Sequence, residues 1–275
     1  MKVLQICSKQ PLPAIDGGCK AMNNITEGLL QNNIEVKVLT VTTFKHPFLL
    51  KKMDATYLKN TQIENCEIAI KVKPIAAFFN LFSKESYNVI RFFSKEFEKL
   101  IASTLQNNEY DIIFLESLFV IPYIEIIRAN SNAKLVYRAH NIEHEIWERN
   151  TIEEKNSIKR QYLKLLTKRL RKYEIGVLNK VDAIASISEK DKKTLLDLGS
   201  KKPICVTPFG FDLNQVSESK EIKKVVNFFH IGSMDWEPNQ EGIKWFLENV
   251  WIRIIEQYYT LQFNLAEKRM PQYLK

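Results

Sequence analysis

Arg138, His140 and Asn141 stand together in the stretch Leu135-Val-Tyr-Arg-Ala-His-Asn-Ile-Glu-His-Glu-Ile-Trp-Glu-Arg149. Two chemistries suit these residue types. His140-x-x-Glu143-His144 matches the inverted zinc-peptidase pattern, in which two histidines four residues apart bind one Zn²⁺ and the glutamate activates water. That pattern needs both histidines on one helix and a third protein ligand, which the sequence does not mark. The other chemistry uses His140 alone, as a group aimed into a cleft. Lys134 to Tyr137 has strand character and Ile142 to Arg149 has helical spacing, so the histidine pair straddles a strand–helix junction. In an open parallel sheet flanked by helices, ligands bind beyond the carboxyl ends of the strands. The single-histidine reading is therefore preferred, with no metal site. His144 is expected on an exposed helix face.

A second constellation lies near the start of the chain. Gly17-Gly18 closes a breaker-rich loop, Ser8 to Cys19, ahead of a segment with helical spacing, Lys20 to Gln31. Glycines let the backbone approach a ligand, and a helix N-terminus offers unpaired N–H groups and the positive end of a dipole. That combination suits a diphosphate. The pair is neither a G-x-G-x-x-G fingerprint nor a Walker loop, and two glycines in a loop are more often just a turn.

The elements that must carry these residues alternate between strands and helices. Lys2–Cys7 and Ile34–Val41 read as strands around the Lys20–Gln31 helix, one βαβ unit. Ile63 to Val72 reads as a strand, and Lys84 to Gln106 as one long amphipathic helix with Tyr87, Ile90, Phe93, Phe97, Leu100 and Ile101 in the core. Phe44 to Asn60 reads as irregular. Asp111–Glu116 is a strand, Ser117 to Arg128 is helical or loop, and Lys155 to Lys180 is a helix with an apolar stripe at Leu163, Leu166, Leu170, Tyr173 and Val177. Asp182–Ser188 is a strand, and Ser188 is placed to cap the helix that follows, which ends at Leu198-Gly199. Ile204 to Gly210 is the last strand of the first unit. Residues 212–224 read as a linker. Val225–Gly232, Gln240–Gln257 and Leu261–Ala266 then begin a second α/β unit. The expected class is thus α/β, a complete Rossmann-like doubly wound domain at 1–211 and an incomplete second one at 225–275, about a third of a usual domain.

Composition bounds the partners. The net charge of +8 favours an anionic one, yet no nucleic-acid module is present, so nucleic acid is not expected. Seven Lys or Arg and no acid fall between Lys159 and Lys172. Such a helix suits an anionic membrane surface, or is simply a solvated face. No apolar run reaches 18 residues, and there is no signal-like N-terminus. Four scattered cysteines show no metal or framework spacing, which fits a reducing cytoplasm.

Five motifs in order resemble the group 1, or family 4, glycosyltransferases of GT-B fold. They are Pro13-Ala-Ile-Asp-Gly-Gly18, Arg138-Ala-His-Asn-Ile-Glu-His-Glu-Ile-Trp147, Val181-Asp-Ala-Ile-Ala-Ser-Ile-Ser188, Pro208-Phe-Gly-Phe-Asp212 and His230-Ile-Gly-Ser-Met-Asp-Trp-Glu-Pro-Asn-Gln-Glu-Gly242. The resemblance implies an N-terminal acceptor-side domain and a C-terminal domain for a nucleotide-diphosphate sugar, used as co-substrate without any cofactor. It implies transfer with retention and without metal. Gly17 and Gly18 match the diphosphate loop and His140 the residue lining the reacting sugar. Arg138 and Asn141 flank it, and Ser188 matches a cleft-edge residue. Gly232, Ser233 and Asn239 match the first loop of the donor domain. The family's basic residues and its Glu-x7-Glu motif would lie beyond Lys275, and Glu267 replaces an expected glycine, so the chain reads as truncated. The implied acceptor is a saccharide or a lipid-linked sugar in cell-surface polysaccharide synthesis, in the cytoplasm and peripherally at the inner face of the membrane. The alternative is a catalytically incompetent truncated module that binds an acceptor or a partner.

Overall fold

Lys2–Cys7 forms β1, buried from Val3 onward, as befits a parallel strand covered on both faces. In this computed structural model, which describes residues 1–70, 80, 83, 85–210, 227–232, 234 and 237–266, six more strands lie parallel to it. They are β2 (Glu35–Thr42), β3 (Glu64–Glu67), β4 (Ile112–Glu116), β5 (Lys134–Ala139), β6 (Ala183–Ser186) and β7 (Ile204–Val206). The order across the sheet is β3-β2-β1-β4-β5-β6-β7. Strand progression therefore reverses between β1 and β4, the switch point beside which ligands bind in open α/β sheets.

Helices cover both faces. Alternation along β1 sends Leu4 and Ile6 into the larger core, with Ile113, Leu115 and Tyr137 from β4 and β5. Phe97 and Ile101 of α4 (Lys95–Asn107) and Leu170 and Val177 of α7 (Ser157–Val177) join them. Each such fully buried side chain contributes about 1.5–3 kcal/mol. Cys7, Val36 and Val38 face the other way, onto Met22 of α1 (Gly17–Gln31) and Tyr57 of α2 (Ala55–Thr61). The expected α/β class is the observed one.

Several expected elements are differently bounded. The helix expected over 84–106 is two, α3 (Tyr87–Ile90) and α4. The break is built in: the Ser94 hydroxyl caps α4 by accepting from the Glu96 and Phe97 amides. The Tyr123 hydroxyl accepts from the Ser94 amide at 2.9 Å and donates to the Phe92 carbonyl at 2.7 Å, so the interrupted backbone is satisfied. Tyr87, Phe97 and Ile101 are core residues as expected, whereas Phe93 is 39% exposed. The strand expected over 63–72 is confined to β3, and Lys71 and Val72 lie outside the described residues. Within the segment read as irregular, α2 forms because Asp54 accepts the Tyr57 amide at 2.7 Å.

Beyond β4, a 3₁₀ segment (Leu118–Tyr123) leads into α5 (Ile124–Asn130). Helix α6 (Glu143–Glu153) follows β5, and α8 (Glu189–Asp197) follows β6. Ser188 caps α8 by accepting from the Asp191 amide at 3.1 Å, and Gly199 closes it at φ +97°, a conformation that favours glycine.

The chain divides into two compact units, Met1–Phe211 and Asp212–Lys275. The expected linker at 212–224 lies outside the described residues. In the second unit β8 (Phe228–Ile231) pairs in parallel with β9 (Phe263–Ala266). Between them run α9 (Glu237–Phe246), a π turn (Leu247–Trp251) and α10 (Ile252–Gln257). Phe228, Phe246, Trp251 and Phe263 form an aromatic cluster on one face. Phe229 and Ile231 on the other face are each 71% exposed.

Candidate active site

The carboxyl ends of β1, β4 and β5 bring together residues far apart in sequence. Glu116 closes β4 and pairs in register with Cys7 of β1 and Arg138 of β5. Its carboxylate is fully buried and has three donors. Gln5 Nε2 gives one oxygen a hydrogen bond at 2.9 Å, while Arg138 (3.5 Å) and His140 Nε2 (2.6 Å) reach the other. A buried carboxylate stays charged only when it is hydrogen-bonded and electrically balanced, and Arg138 supplies that balance.

This arrangement fixes the histidine. A carboxylate can only accept, so His140 Nε2 carries the proton that bridges to Glu116. Nδ1 is then the ring atom left to receive a hydrogen bond from a ligand. The side chain is 15% exposed, so the ring is not sealed from solvent. Asn141, exposed beside it, donates to Glu143 Oε1 at 3.3 Å.

Arg138 is not part of the exposed surface. It is 1% exposed and donates to the Ala21 carbonyl of α1 at 3.0 Å. Strand alternation turns it inward, so it lies beneath the site and braces Glu116 rather than facing a substrate. The brace extends into α1: the Thr26 hydroxyl donates to Gln5 Oε1 at 2.6 Å, and Gln5 Nε2 also reaches the Met22 carbonyl at 3.2 Å.

Gly17 and Gly18 are the first two residues of α1, so the helix starts earlier than its spacing predicts. Asp16 caps it, accepting the Cys19 amide at 2.8 Å. The Gly17 and Gly18 amides have no acceptor within the helix. Lys9, from the loop after β1, sets its ammonium 2.7 Å from both Asp16 oxygens. Burial alone would raise the Asp16 pKa, but the bonds from Lys9 and the Cys19 amide outweigh it and hold the carboxyl below its usual range. A Cβ on Gly18 would come within 2.8 Å of Lys9 Nζ, so the lysine reaches across the glycine.

The structure overturns the exposed placement of His144. It is 4% exposed, and its Nδ1 lies 2.6 Å from Glu174 of α7. Glu174, itself fully buried, also accepts the amides of Glu143 (2.9 Å) and His144 (3.1 Å). Helix α6 has no side-chain cap of its own at Ile142, and Glu174 does that work from another helix. Nothing local in the sequence marks Glu174, which stands at the end of a strongly basic stretch. Glu143, next to it, has its pKa pushed up to about 7 by burial, with the Glu174 charge adding to the rise. The two histidines of the zinc-like pattern thus engage separate carboxylates, and His140 precedes the helix.

Of the other expected site residues, Ser188 lies at the end of β6, its hydroxyl engaged by Asp191. In the second unit Gly232 follows β8. A Cβ there would meet His230 Nε2 at 2.7 Å and Asn239 Nδ2 at 3.3 Å, so these side chains close over the glycine. Ser233 lies outside the described residues. Sequence reasoning missed Glu116, Gln5, Lys9 and Glu174. Glu116 had a usable signal, since it is an acid ending a strand next to the switch point.

A family model described as Glycosyltransferase Family 4 matches residues 15–215. No curated protein matches the sequence. Among solved structures the chain is similar to Anabaena Alr3699/HepE in complex with UDP-glucose, at 11% identity and a TM-score of 0.54, over 98% of this chain and 70% of that one. It is similar to the lipopolysaccharide outer core galactosyltransferase WaaB in its apo form, at 14% identity and a TM-score of 0.46, over 85% of this chain and 53% of that one. It is also similar to Medicago truncatula UGT71G1 complexed with UDP-glucose, at 13% identity and a TM-score of 0.49, over 97% of this chain and 72% of that one. The chain therefore spans from about half to under three quarters of the length of these proteins. Its fold is of GT-B type.

Proposed function

The chain belongs to glycosyltransferase family 4, and from that premise we propose that it transfers a sugar, with retention and with no metal taking part in the transfer step, from a nucleotide-diphosphate donor to a saccharide or lipid-linked acceptor. The observation that carries this reading is the His140–Glu116 pair at the switch point, within the matched region. Glycosyl transfer breaks the bond between the anomeric carbon and the diphosphate oxygen. Positive charge grows on the sugar and negative charge on the departing diphosphate. The amides of Gly17 and Gly18 at the positive end of α1 are preorganised donors for that negative charge, and Lys9, paired with Asp16, is a cation beside them. His140 Nδ1, held by the Nε2–Glu116 bond, accepts a sugar hydroxyl and tightens on it in the transition state. Gly232 and Asn239 belong to the donor side in this reading, and Ser188 and Asn141 to the rim.

A peripheral membrane setting is supported by α7. Lys164, Lys168, Arg171 and Lys172 lie on its exposed side, and Ile158 (82%) and Ile152 (72%) project at the turn between α6 and α7. Among the described residues no helix is long and apolar enough to cross a membrane. This basic face with two apolar tips suits the anionic inner face of a cytoplasmic membrane, where a lipid-linked acceptor for cell-surface polysaccharide would be presented.

The test is a panel of nucleotide-diphosphate sugars incubated with the protein and simple saccharide or lipid-linked acceptors, with His140→Ala as control. Transfer that His140→Ala abolishes supports the reading. A folded chain that transfers nothing would favour a second one, an acceptor- or partner-binding module without turnover. The observation behind that alternative is that His140, Glu116 and the Gly17-Gly18 amides all belong to the first unit, Met1–Phe211.

A further inference from the structure

A second cluster of ligating side chains flanks the Gly17-Gly18 pair. Asp16 caps α1, Cys19 lies in its first turn, and His46 belongs to the loop after β2. One ligand atom from each lies within 4.8 Å of the other two. Asp16 Oδ2 and His46 Nδ1 are 3.9 Å apart. Three connections hold His46 there. Its amide and carbonyl both pair with the Thr43 backbone at 3.0 Å, and Gln10 Oε1, from the loop after β1, accepts the Leu49 amide at 2.9 Å. The cluster is thus assembled from two loops tied to each other at the carboxyl edge of the sheet.

We propose that Asp16, Cys19 and His46 form a binding site for a thiophilic divalent cation, with Zn²⁺ the best match to the donor set. One carboxylate oxygen, one sulfur and one imidazole nitrogen, with a water as fourth ligand, make an ordinary tetrahedral zinc shell. Bond lengths of roughly 2.0–2.3 Å place such ligands about 3.3–3.8 Å apart, so the side chains need to close in by about 1 Å. Alkaline-earth ions are poorly suited, because they take hard oxygen ligands and a thiol offers them little. The cluster already holds a cation: the Lys9 ammonium sits 2.7 Å from both Asp16 oxygens. Its stem is long and flexible, and it is partly exposed, so it can leave for solvent. Binding then replaces one positive charge with two. The Cys19 thiol, which burial pushes up to about 12, releases its proton to solvent as the Zn–S bond forms. The proposal rests on these three side chains and not on the transfer reaction.

The experiment is a titration of the full chain with Co²⁺ as a spectroscopic stand-in, followed by Zn²⁺ competition. The expected result is one equivalent bound, with a thiolate-to-cobalt charge-transfer band and tetrahedral visible absorption that Zn²⁺ removes. Cys19→Ser loses the charge-transfer band, and His46→Ala and Asp16→Asn each weaken binding at least tenfold. Lys9→Met tightens binding severalfold, because the competing ammonium is gone. That last variant separates ligation from mere destabilisation, which would weaken binding. The proposal is overturned by the absence of a thiolate band, by a band that survives Cys19→Ser through another cysteine, or by weaker binding in Lys9→Met.

Discussion

Replacing Glu143 by glutamine removes one carboxylate from the base of α6 while keeping its shape. In the folded chain burial raises the Glu143 pKa to about 7, helped by the Glu174 charge and opposed by the bond from Asn141. In the unfolded chain it returns to its ordinary value of about 4.5. Below that value both states hold the proton, and Glu143 contributes no pH dependence. Between about 4.5 and 7 the unfolded chain releases its proton while the folded chain keeps it, so stability falls as pH rises. Above 7 the loss is complete. The folded value stands about 2.5 units above the usual range, which at 1.36 kcal/mol per unit is a loss of about 3 kcal/mol. Glutamine carries no such penalty, and its side-chain amide can keep the contact with Asn141. Urea denaturation of both proteins between pH 4 and 8, followed by amide circular dichroism, measures the difference. Glu143→Gln should match the parent near pH 4 and exceed it by about 3 kcal/mol at pH 8. A difference that stays flat across that range would refute the reasoning, because it would mean that water reaches the Glu143 carboxylate.

His140→Ala should lower kcat for sugar transfer by about 10²–10³, the scale for loss of one preorganised group at a reacting centre, with little change in the donor KM. Equal loss through KM would make it a binding residue only. Glu174→Ala strips the cap from α6 and leaves His144 Nδ1 buried without its partner. It should cost about 3 kcal/mol of stability, read by denaturant midpoint, and a cost under 1 kcal/mol would mean that water replaces the carboxylate. Gly18→Ala should raise the donor KM by displacing Lys9, and an unchanged KM would show that the lysine swings aside freely. Binding to anionic vesicles, measured by co-sedimentation, should vanish on neutral ones and fall as salt rises. It should also weaken when Lys164, Lys168 and Lys172 are changed to Gln, and binding indifferent to charge would remove the basic helix from the account.

The large elements were legible because their signals are local. The β1 run from Val3 to Cys7, the stripe of α7 and the Ser188 and Gly199 boundaries of α8 each carry their pattern in a few consecutive residues. The start of α1 was not legible on the same grounds: its apolar spacing begins at Lys20, whereas Asp16 caps the helix so that Gly17 and Gly18 are its first two residues. The break after Ile90 was less so. Ser94 alone is a weak stop signal, and what makes it decisive is the Tyr123 hydroxyl, brought there by a later segment. The same distinction explains His144. Its own helix looks exposed at that position, and only Glu174, thirty residues on in a helix read as basic, turns it inward.

The site divides along that line too. Its surface members, His140, Asn141 and the glycine pair, are residues whose types announce chemistry. Its supports are not, because a buried Gln or Glu is recognised only by what it touches. Glu116 shows why this matters for function. Without its bond His140 would choose its own tautomer, and the acceptor nitrogen offered to a sugar would not be fixed. With it, a chain of hydrogen bonds from Thr26 through Gln5 to Glu116 sets one proton on one nitrogen. A conservative change there separates the two roles. Glu116→Gln leaves the volume unchanged but removes the charge that holds the Nε2 proton and balances Arg138. It should therefore lower kcat through His140 and also destabilise the fold through the unpaired arginine, by about 3–5 kcal/mol for a broken buried pair. Adding Arg138→Met to it should restore much of the stability, since the lone buried charge is gone, but none of the activity. Recovery of both together would mean that Glu116 serves only to neutralise Arg138.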